Sequence, residues 1–138
     1  MDDCLFCAIA KGEIPSAKVF ESKSLYAFLD LHPCNKGHTL LIPKVHCPDL
    51  LSVDPCLGKE FIEALQRISR AILTVTNASS FNIIQNNGAC AGQEIFHLHW
   101  HIIPRFAQDG FKLWEQHNYD NQEEMERLAT AIKVQIGL

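Results

Sequence analysis

The chain has 138 residues, a formal net charge of -4 and six cysteines. This length suits one compact domain with a buried core. The negative net charge argues against a protein that coats nucleic acid or an anionic membrane, because either partner requires a broad basic surface. We therefore expect a single domain over residues 1–138 that has neither a nucleic-acid partner nor a membrane partner.

The N-terminal residues, Met1 to Cys4, include neither a basic start nor a long apolar run. This composition predicts neither a signal peptide nor a membrane span, so we expect a cytoplasmic protein. Without a secretory signal, cysteines are more often buried thiols or metal ligands than disulfide partners. We accordingly expect reduced thiols.

Five short segments predict β-strands. Each is apolar or alternating and is bounded by residues that favour turns. The predicted strands are residues 17–20, 25–30, 39–43, 81–85 and 97–104. Hairpins are the simplest connection between them, so the sequence predicts an antiparallel sheet of about five strands.

Apolar residues that recur every three or four positions predict two helices. The first is one long helix that covers the sheet with Leu57, Phe61, Leu65, Ile68, Ile72 and Val75. The second is a C-terminal helix with Met125, Leu128, Ile132 and Ile136. With a short helix near the N-terminus, the predicted fold class is α+β.

The segment from His97 to Ile103 alternates histidines with apolar residues. In a strand, this alternation places His97, His99 and His101 on one face, with neighbouring rings about 7 Å apart. A neutral imidazole has a pKa near 6.5 and offers a free nitrogen that can attack phosphorus or carry a proton. The segment therefore predicts either catalysis or metal binding.

The loop from Asn86 to Glu94 leads directly into these histidines. Gly88 and Gly92 permit backbone turns that aim N–H groups at a bound oxyanion. The loop therefore predicts a phosphate cradle.

Cys4 and Cys7 have the two-residue spacing that lets both thiolates bind one tetrahedral zinc. Two histidines can complete the set if the N-terminus packs beside the sheet: His46, at the end of a predicted strand, and His97. A closed site with four protein ligands would be structural. The alternative is a pair of buried thiols in an apolar helix.

The run His97–Ile103 has the form His-apolar-His-apolar-His-apolar-apolar, and through it the chain resembles the histidine triad (HIT) family. The resemblance covers about residues 4–105, and the helical segment at about 121–137 lies outside it. Further similar segments are Gly12–Pro15, Phe28–Asp30, Gly37–Lys44 and Gly92–Gln93.

The resemblance implies a HIT-like fold and a homodimer that cleaves at the α-phosphorus of a purine nucleotide, either a phosphoramidate or a dinucleoside polyphosphate. His99 would form a covalent nucleotidyl intermediate, with His97, His101 and His38 completing the catalytic set. Asp30 would hold the ribose, apolar residues the base, and polar residues the phosphate. The implied nucleotide-binding residues are Phe6, Ile9, Phe28, Asp30, Leu31, Asn86, Gly92, Gln93, Glu94, His99 and His101.

Other functions stay open at this point. His97, His99 and His101 could together hold one catalytic zinc with an open position for water. The chain could also be a purine-nucleotide binding or sensing module without turnover, or a nucleotidyltransferase. The resemblance favours hydrolysis over transfer, because the transferase branch carries glutamine in place of His101. Many family members that prefer phosphoramidates carry a hydroxyl residue at the position of Glu94. Because this chain carries a carboxylate there, its substrate class stays open.

Overall fold

Five antiparallel strands form one sheet in the computed structural model, which describes residues 3–138. Met1 and Asp2 lie outside the described residues. The expectation of neither a signal peptide nor a membrane span rests in part on these two residues. The elements in chain order are α1 (Leu5–Ala10), β1 (Lys18–Glu21), β2 (Leu25–Leu29), β3 (Thr39–Pro43), a 3-10 turn (Pro55–Leu57), α2 (Gly58–Thr76), β4 (Ser80–Gln85), a second 3-10 turn (Ala89–Ala91), β5 (Trp100–Arg105) and α3 (Gln122–Ile136).

The strands are ordered β1-β2-β3-β5-β4, so β1 and β4 form the two edges of the sheet. Each of the four strand pairs is antiparallel. The predicted α+β class and the sheet of about five strands are confirmed. Within residues 3–138, no helix is both long and apolar enough to cross a membrane.

Two hydrophobic clusters occupy the two faces of the sheet because the strands alternate their side chains. On one face, α2 packs Phe61, Leu65 and Ile68 against Leu41 and Ile102. On the other face, α1 packs its apolar side chains against strands β2 and β3. The residues of this second cluster are Phe6, Ile9, Tyr26, Phe28, Leu40 and Ile42.

The predicted stripe of the long helix is wrong at one position. Val75 is 85% exposed, although the spacing placed it in the core. The helix ends one residue later, at Thr76, and Asn77 follows in the left-handed conformation. The last turn therefore extends beyond the core that Ile68 and Ile72 contact.

The predicted strand over residues 97–104 begins later than expected, at Trp100. The ladder between β3 and β5 ends where Leu41 pairs with Trp100, and the N–H of Leu98 donates instead to the carbonyl of Cys47 at 2.7 Å. The alternation nevertheless persists outside the strand. Leu98 lies in the cluster under α2, while the rings of His97 and His99 contact Phe6 on the opposite face.

Gly37 precedes His38 and adopts φ = 101°, which side-chain-bearing residues rarely adopt. A Cβ at this position would lie 2.8 Å from Cγ2 of Thr76. We expect Gly37→Ala to lower the free energy of unfolding by about 2–3 kcal/mol, measured by urea denaturation. Gly12→Ala is the matched control, because Gly12 also has a positive φ but no atom within 4 Å of the added Cβ. Equal losses in the two variants would contradict a role for the close approach to Thr76.

Candidate active site

His99 lines a cavity on the α1 face of the sheet, and a backbone carbonyl sets the tautomer of its ring. Its Nδ1 lies 2.7 Å from the carbonyl oxygen of His97. Because a carbonyl only accepts hydrogen bonds, Nδ1 carries the proton and the neutral ring keeps its lone pair on Nε2. The ring is buried and lines the cavity. This arrangement suits a nucleophile whose tautomer is set by the backbone.

His97 lies deeper, and both of its ring nitrogens have partners. Nε2 donates to the carbonyl of Pro43 at 2.8 Å, which leaves Nδ1 unprotonated in the neutral ring. Nδ1 lies 3.4 Å from Sγ of Cys4 and 3.5 Å from Sγ of Cys7. Burial lowers the pKa of His97 and favours this neutral form. The ring that we expected both in catalysis and in a metal site thus lies with the thiols and not in the cavity.

His38 and His101 form a hydrogen-bonded pair whose proton positions follow from the backbone. The N–H of Cys34 donates to Nδ1 of His38 at 3.1 Å, so the proton of His38 is on Nε2. Nε2 of His38 lies 2.9 Å from Nδ1 of His101 and donates to it. The neutral His101 ring therefore carries its proton on Nε2. The pair orients His101 as a hydrogen-bond donor beside His99.

His101 is held neutral by its surroundings. Burial, followed by the neighbouring rings of His99 and His38, lowers its pKa to about 4 against an opposing effect of Asp30. Burial also lowers the pKa of His38. A bound anion would raise the proton affinity of this pair, because an opposite charge stabilises the imidazolium.

Cys4, Cys7, His46 and His97 form a cluster in which the ligand atoms all lie within 4.8 Å of one another. Nδ1 of His46 is 3.4 Å from Sγ of Cys7. A tetrahedral zinc with bonds of about 2.0–2.3 Å separates sulfur and nitrogen ligands by about 3.5 Å, which these contacts match. Burial and the neighbouring Cys4 raise the pKa of the Cys7 thiol, a shift that a bound cation would reverse. The four residues therefore fit a metal ion.

Asp30, His38 and His101 also lie close enough to be considered as a metal site. A metal on both facing nitrogens would require His38 to move its proton to Nδ1, which already accepts from Cys34. The carboxylate is 3.7 Å from Nε2 of His38. Hydrogen bonding therefore favours a proton-sharing pair over metal coordination at this position.

The cavity has a volume of about 370 Å³ and brings together most of the predicted nucleotide-binding residues. Phe6 stands edge-on to His99, with ring centroids 5.1 Å apart, and to Phe28, at 5.6 Å. The predicted residues that line the cavity are Phe6, Ile9, Phe28, Asp30, Leu31, Asn86, Gly92, Glu94, His99 and His101.

Gln93 does not face this cavity, although we expected it beside the phosphate. Its Oε1 accepts from the N–H of Gly88, and its Nε2 donates to the carbonyls of Pro48 and Ile95. The buried side chain therefore braces the loop. Sequence alone did not distinguish this role from ligand binding, because an amide side chain can serve either.

Part of the backbone N–H groups that the glycines led us to expect around a phosphate is used within the loop itself. The N–H groups of Gly88, Ala91, Gly92 and Gln93 all donate within the loop. Hydrogen bonding inside this compact turn therefore occupies four of the loop N–H groups. Among the lining residues, the side-chain amide of Asn86, the backbone N–H of Glu94 and the histidine rings are the groups that can contact a phosphate.

Four further residues line the cavity, and sequence reasoning did not name them: Leu5, His32, Leu40 and Ile95. One of them could have been found from the predicted strands, because Leu40 pairs directly with Phe28 and shares its face. His32 could also have been found, because an aspartate often accepts a hydrogen bond from the backbone N–H two residues later in a turn. Here the N–H of His32 donates to Oδ1 of Asp30 at 2.8 Å. The sequence carries no comparable signal for Leu5 or Ile95.

The family comparison agrees with this fold and this site. The family model described as "HIT domain" matches residues 11–108. This match covers more than half of the chain and contains the three alternating histidines. The chain belongs to the HIT family.

Relatives with names span several kingdoms. "Protein hit" of Bacillus subtilis is 41% identical over 134 residues, covering 95% of this chain and 92% of that protein. "Adenylylsulfatase HINT3" of Arabidopsis thaliana is 39% identical, covering 96% of this chain and 68% of that protein. "Adenosine 5'-monophosphoramidase HNT1" of Saccharomyces cerevisiae is 41% identical, covering 74% of this chain and 62% of that protein.

Solved structures share the fold over nearly the whole chain. A protein from Streptococcus mutans UA159 is 42% identical with a TM-score of 0.92, covering 99% of this chain and 87% of that chain. A structure described as a Zn-bound histidine triad family protein, from Mycobacterium smegmatis, is 34% identical with a TM-score of 0.76, covering 99% and 96%. The HIT-like fold expected from the sequence is therefore confirmed.

The low pKa of His101 predicts a loss of stability in acid. The unfolded state binds a proton near pH 6.5, whereas folded His101 binds it only near pH 4, so its stabilisation is present above pH 6.5 and is lost as the pH falls towards 4. The size of this pKa shift limits the contribution of His101 to the free energy of unfolding to at most about 3 kcal/mol. We expect His101→Gln to lose less stability than the wild type between pH 7.5 and 4.5 in urea denaturation.

His117→Gln is the control, because His117 is exposed and lies outside the site. It should keep the pH dependence of the wild type. An identical acid dependence in His101→Gln would show that protonation of His101 does not oppose folding.

Proposed function

We propose that this chain is a nucleotide hydrolase that cleaves at the α-phosphorus of purine nucleoside phosphoramidates through a covalent nucleotidyl-His99 intermediate. Dinucleoside polyphosphates are the second substrate class. The similarity to an adenosine 5'-monophosphoramidase and an adenylylsulfatase supports hydrolysis at this phosphorus. The observation that carries the proposal is the 2.7 Å contact of Nδ1 of His99 with the carbonyl of His97, which assigns the lone pair of the neutral ring to Nε2 in a residue that lines the cavity.

In the first step, the lone pair on Nε2 of His99 forms a bond to the α-phosphorus, and the phosphorus–nitrogen bond of the substrate breaks. The leaving amine takes the bonding pair and a proton. The anionic phosphate raises the proton affinity of His101, so the His101 imidazolium formed in the complex supplies this proton from Nε2. The added proton is on Nδ1, so His101 gives up the hydrogen bond that His38 donates to Nδ1 in the free site. His38 acts as a positioning residue of neutral His101, because it reaches the substrate only through that ring.

In the second step, water attacks the phosphorus and gives a proton to neutral His101. The bond between phosphorus and His99 breaks, and its electron pair returns to Nε2. The products are the nucleoside monophosphate and the amine, and both histidines recover their starting states. Two displacements replace one difficult displacement. His97 has no free nitrogen for either step, so its part is to fix the tautomer of His99.

The charge of the cavity favours a phosphoramidate over a polyphosphate. Its lining contains the carboxylates of Asp30 and Glu94 but no lysine or arginine. A phosphoramidate carries one negative charge at the α-phosphate, which neutral donors such as Asn86 and His101 can bind. A polyphosphate carries several charges and would meet two carboxylates without a compensating cation.

The apolar part of the cavity suits a purine base. We assign Phe6, Ile9, Phe28 and Leu31 to the base, because aromatic and branched side chains enclose planar ligands with large contact areas. Asp30 lies at the edge of this group. A carboxylate at this position can accept hydrogen bonds from both ribose hydroxyls.

We assign a structural zinc to Cys4, Cys7, His46 and His97. When bound, the metal would supply no Lewis-acid chemistry to the reaction, because four protein ligands close its coordination sphere. The hydrogen bond from Nε2 of His97 to Pro43 is the outer contact that orients a metal-binding imidazole. Reduced thiols at this site fit a cytoplasmic protein.

We propose a homodimer that forms through strand β4. This edge strand has no charged residue and no proline, and it leaves Phe81 and Ile83 exposed at 40% and 37%. The opposite edge, β1, has an irregular register and carries the ion pair of Lys18 with Glu21. Charged and irregular edges resist pairing, whereas an uncharged edge selects a second strand.

The nucleophile is tested by trapping the intermediate. We expect His99→Ala to bind a nucleoside monophosphate but to lose turnover by a factor of about 10³ or more, because the lost bond exists only in the reaction. Rapid acid quenching of the wild type with a labelled adenosine phosphoramidate, followed by peptide mass analysis, should show an acid-labile monophosphate adduct on His99.

Other outcomes identify the alternatives. Binding without product in the wild type would indicate a nucleotide-binding or sensing module, and transfer of the monophosphate to an acceptor other than water would indicate a nucleotidyltransferase. Inversion at phosphorus, or near-normal turnover of His99→Ala, would overturn the covalent mechanism. Net retention at phosphorus would support it.

Metal analysis tests the zinc site. We expect about one zinc per subunit in the wild type and none in Cys7→Ala, with a lower melting temperature, because a structural metal stabilises the folded state directly. Cys56→Ala is the control, since Cys56 is exposed and outside the cluster. Unchanged zinc in Cys7→Ala would rule out this ligand set.

A further inference from the structure

We propose that Cys4 and Cys7 form a redox switch, in which a peroxide oxidises the two thiols to a disulfide and thereby weakens the contacts that hold His97 and His99. The inference rests on the proposed hydrolase function, because it names a regulation of the same site. Three features carry it: the proximity of the two sulfur atoms, the different access of an oxidant to each of them, and the contacts that lead from them to His99.

The two sulfur atoms lie close enough for a disulfide to form after a small movement. The ligand atoms of the cluster, including both sulfurs, all lie within 4.8 Å of one another. Cys4 directly precedes α1, and Cys7 lies in its first turn. Residues with this spacing have Cβ atoms about 5–6 Å apart, whereas a disulfide requires about 3.5–4.5 Å. A shift of about 1–2 Å at the start of this short helix is therefore sufficient.

The two thiols differ in exposure, and this difference defines the order in which they react. Cys4 is partly exposed and lines a surface cavity of about 400 Å³ together with His46 and Glu94. Cys7 is buried. A peroxide can enter this cavity and reach Cys4 first, whereas Cys7 reacts with the product formed on Cys4. An accessible thiol beside a second, resolving thiol is the arrangement of a reversible redox site.

The oxidation takes two steps, and hydrogen peroxide is the oxidant. In the first step, the sulfur of Cys4 attacks one peroxide oxygen, the O–O bond breaks, and Cys4 becomes a sulfenic acid with release of one water. In the second step, the sulfur of Cys7 attacks the sulfur of Cys4, the S–O bond breaks, and the oxygen leaves as a second water with the proton of the Cys7 thiol. The two thiols lose two electrons and two protons, and one peroxide becomes two waters.

The disulfide removes the partners of Nδ1 of His97. This nitrogen is an acceptor, because Nε2 of the neutral ring donates to the carbonyl of Pro43. It lies 3.4 Å and 3.5 Å from the two sulfurs, so a thiol can donate its S–H to it. A disulfide has no hydrogen to donate. Oxidation therefore takes the thiol donors away from a ring that is completely buried, where an acceptor without a partner is unfavourable.

The same conclusion holds if a metal occupies the cluster. Oxidation removes the two thiolate ligands, and the imidazoles of His46 and His97 are too few for a structural zinc site. The reduced chain thus holds Nδ1 of His97 through thiols or through a metal, and the oxidised chain holds it through neither.

A displacement of His97 acts directly on the proposed nucleophile. The carbonyl oxygen of His97 holds the proton on Nδ1 of His99. Phe6, which lies between the two cysteines in the chain, stands edge-on to the rings of His97 and His99 at centroid distances of 5.9 Å and 5.1 Å. Closure of the disulfide therefore acts on both groups that hold the His99 ring. When the bond to the carbonyl weakens, the tautomer with its proton on Nε2 gains population, and that tautomer has no lone pair for the phosphorus.

Peroxide treatment of the full-length, zinc-loaded chain tests the formation of the disulfide. Tryptic cleavage after Lys11 gives a peptide of residues 1–11 that contains both cysteines. We expect this peptide to become lighter by two hydrogen atoms, with release of about one zinc per subunit to a chromogenic chelator. Cys47 is the internal control, because it is buried in the cluster under α2 and should still react with an alkylating reagent after denaturation. The triple variant Cys34→Ser/Cys56→Ser/Cys90→Ser should behave in the same way, since it lacks only the exposed thiols that can link two chains.

Proton NMR measures the effect on His99. Its Nδ1 proton, held by a carbonyl at 2.7 Å, should give a downfield resonance that is absent from His99→Gln. We expect oxidation to shift or remove this resonance and to lower the turnover of an adenosine phosphoramidate at least tenfold, and we expect dithiothreitol with zinc to restore both. In Cys4→Ser/Cys7→Ser, peroxide should change neither. If this variant does not fold, the reversal in the wild type is the control, because oxidative damage at methionine is not reversed by a thiol.

Several outcomes would overturn the switch. One is a peptide 1–11 that keeps two alkylatable thiols after peroxide treatment, and another is oxidation of Cys4 without a bond to Cys7. A disulfide that leaves the His99 resonance unchanged would also overturn it, because the pair would then not act on the nucleophile. A chain that never releases a nucleoside monophosphate from a phosphoramidate removes the hydrolase function alone, since the peptide mass, the zinc release and the resonance are measured without turnover.

Discussion

The site depends on how the ring and the carbonyl of His97 are held. One ring nitrogen donates to Pro43, the other faces the thiols of Cys4 and Cys7, and the carbonyl oxygen of the same residue accepts the proton of His99. A displacement of His97 would therefore change the tautomer of its neighbour. The cluster of Cys4, Cys7 and His46 is thus coupled to His99 through His97, because the ring of His97 contacts the cluster and its carbonyl contacts His99.

Helix α1 extends this coupling to the cavity. Cys4, which precedes the helix, and Cys7, within it, belong to the cluster, while Phe6 packs edge-on against both His97 and His99 and lines the cavity. A six-residue helix is too short to be stable on its own. Its position therefore depends on the apolar cluster with β2 and β3.

The other constraint is the electrostatic neutrality of the site. Burial keeps His38, His97 and His101 neutral, and the cavity lining offers no permanent positive charge. A site of this kind binds an anion through hydrogen bonds and through protons that the anion itself attracts. In the proposed mechanism, His101 becomes charged only when an anionic substrate is bound, which links protonation to occupancy.

The sequence by itself determined much of this protein. Alternation and helical spacing gave the α+β class and the faces of the three histidines, because side-chain periodicity depends only on local backbone geometry. The family motif gave most of the cavity lining, and the two-residue cysteine spacing indicated the metal-binding cluster. The prediction was wrong at Val75, because the last turn of α2 extends beyond the core. It was also wrong about the start of β5, because the residues before Trp100 do not pair with β3.

Only the tertiary structure decided the chemistry of individual atoms. The proton positions on His38, His99 and His101 follow from the N–H of Cys34 and the carbonyl of His97, and a sequence pattern does not specify such contacts. The Gln93 side chain was expected to bind phosphate, but in the folded loop it accepts from Gly88 and donates to Pro48 and Ile95. The physical reason is common to these cases: a side chain's type fixes which hydrogen bonds it can make, and the fold decides which of them it makes.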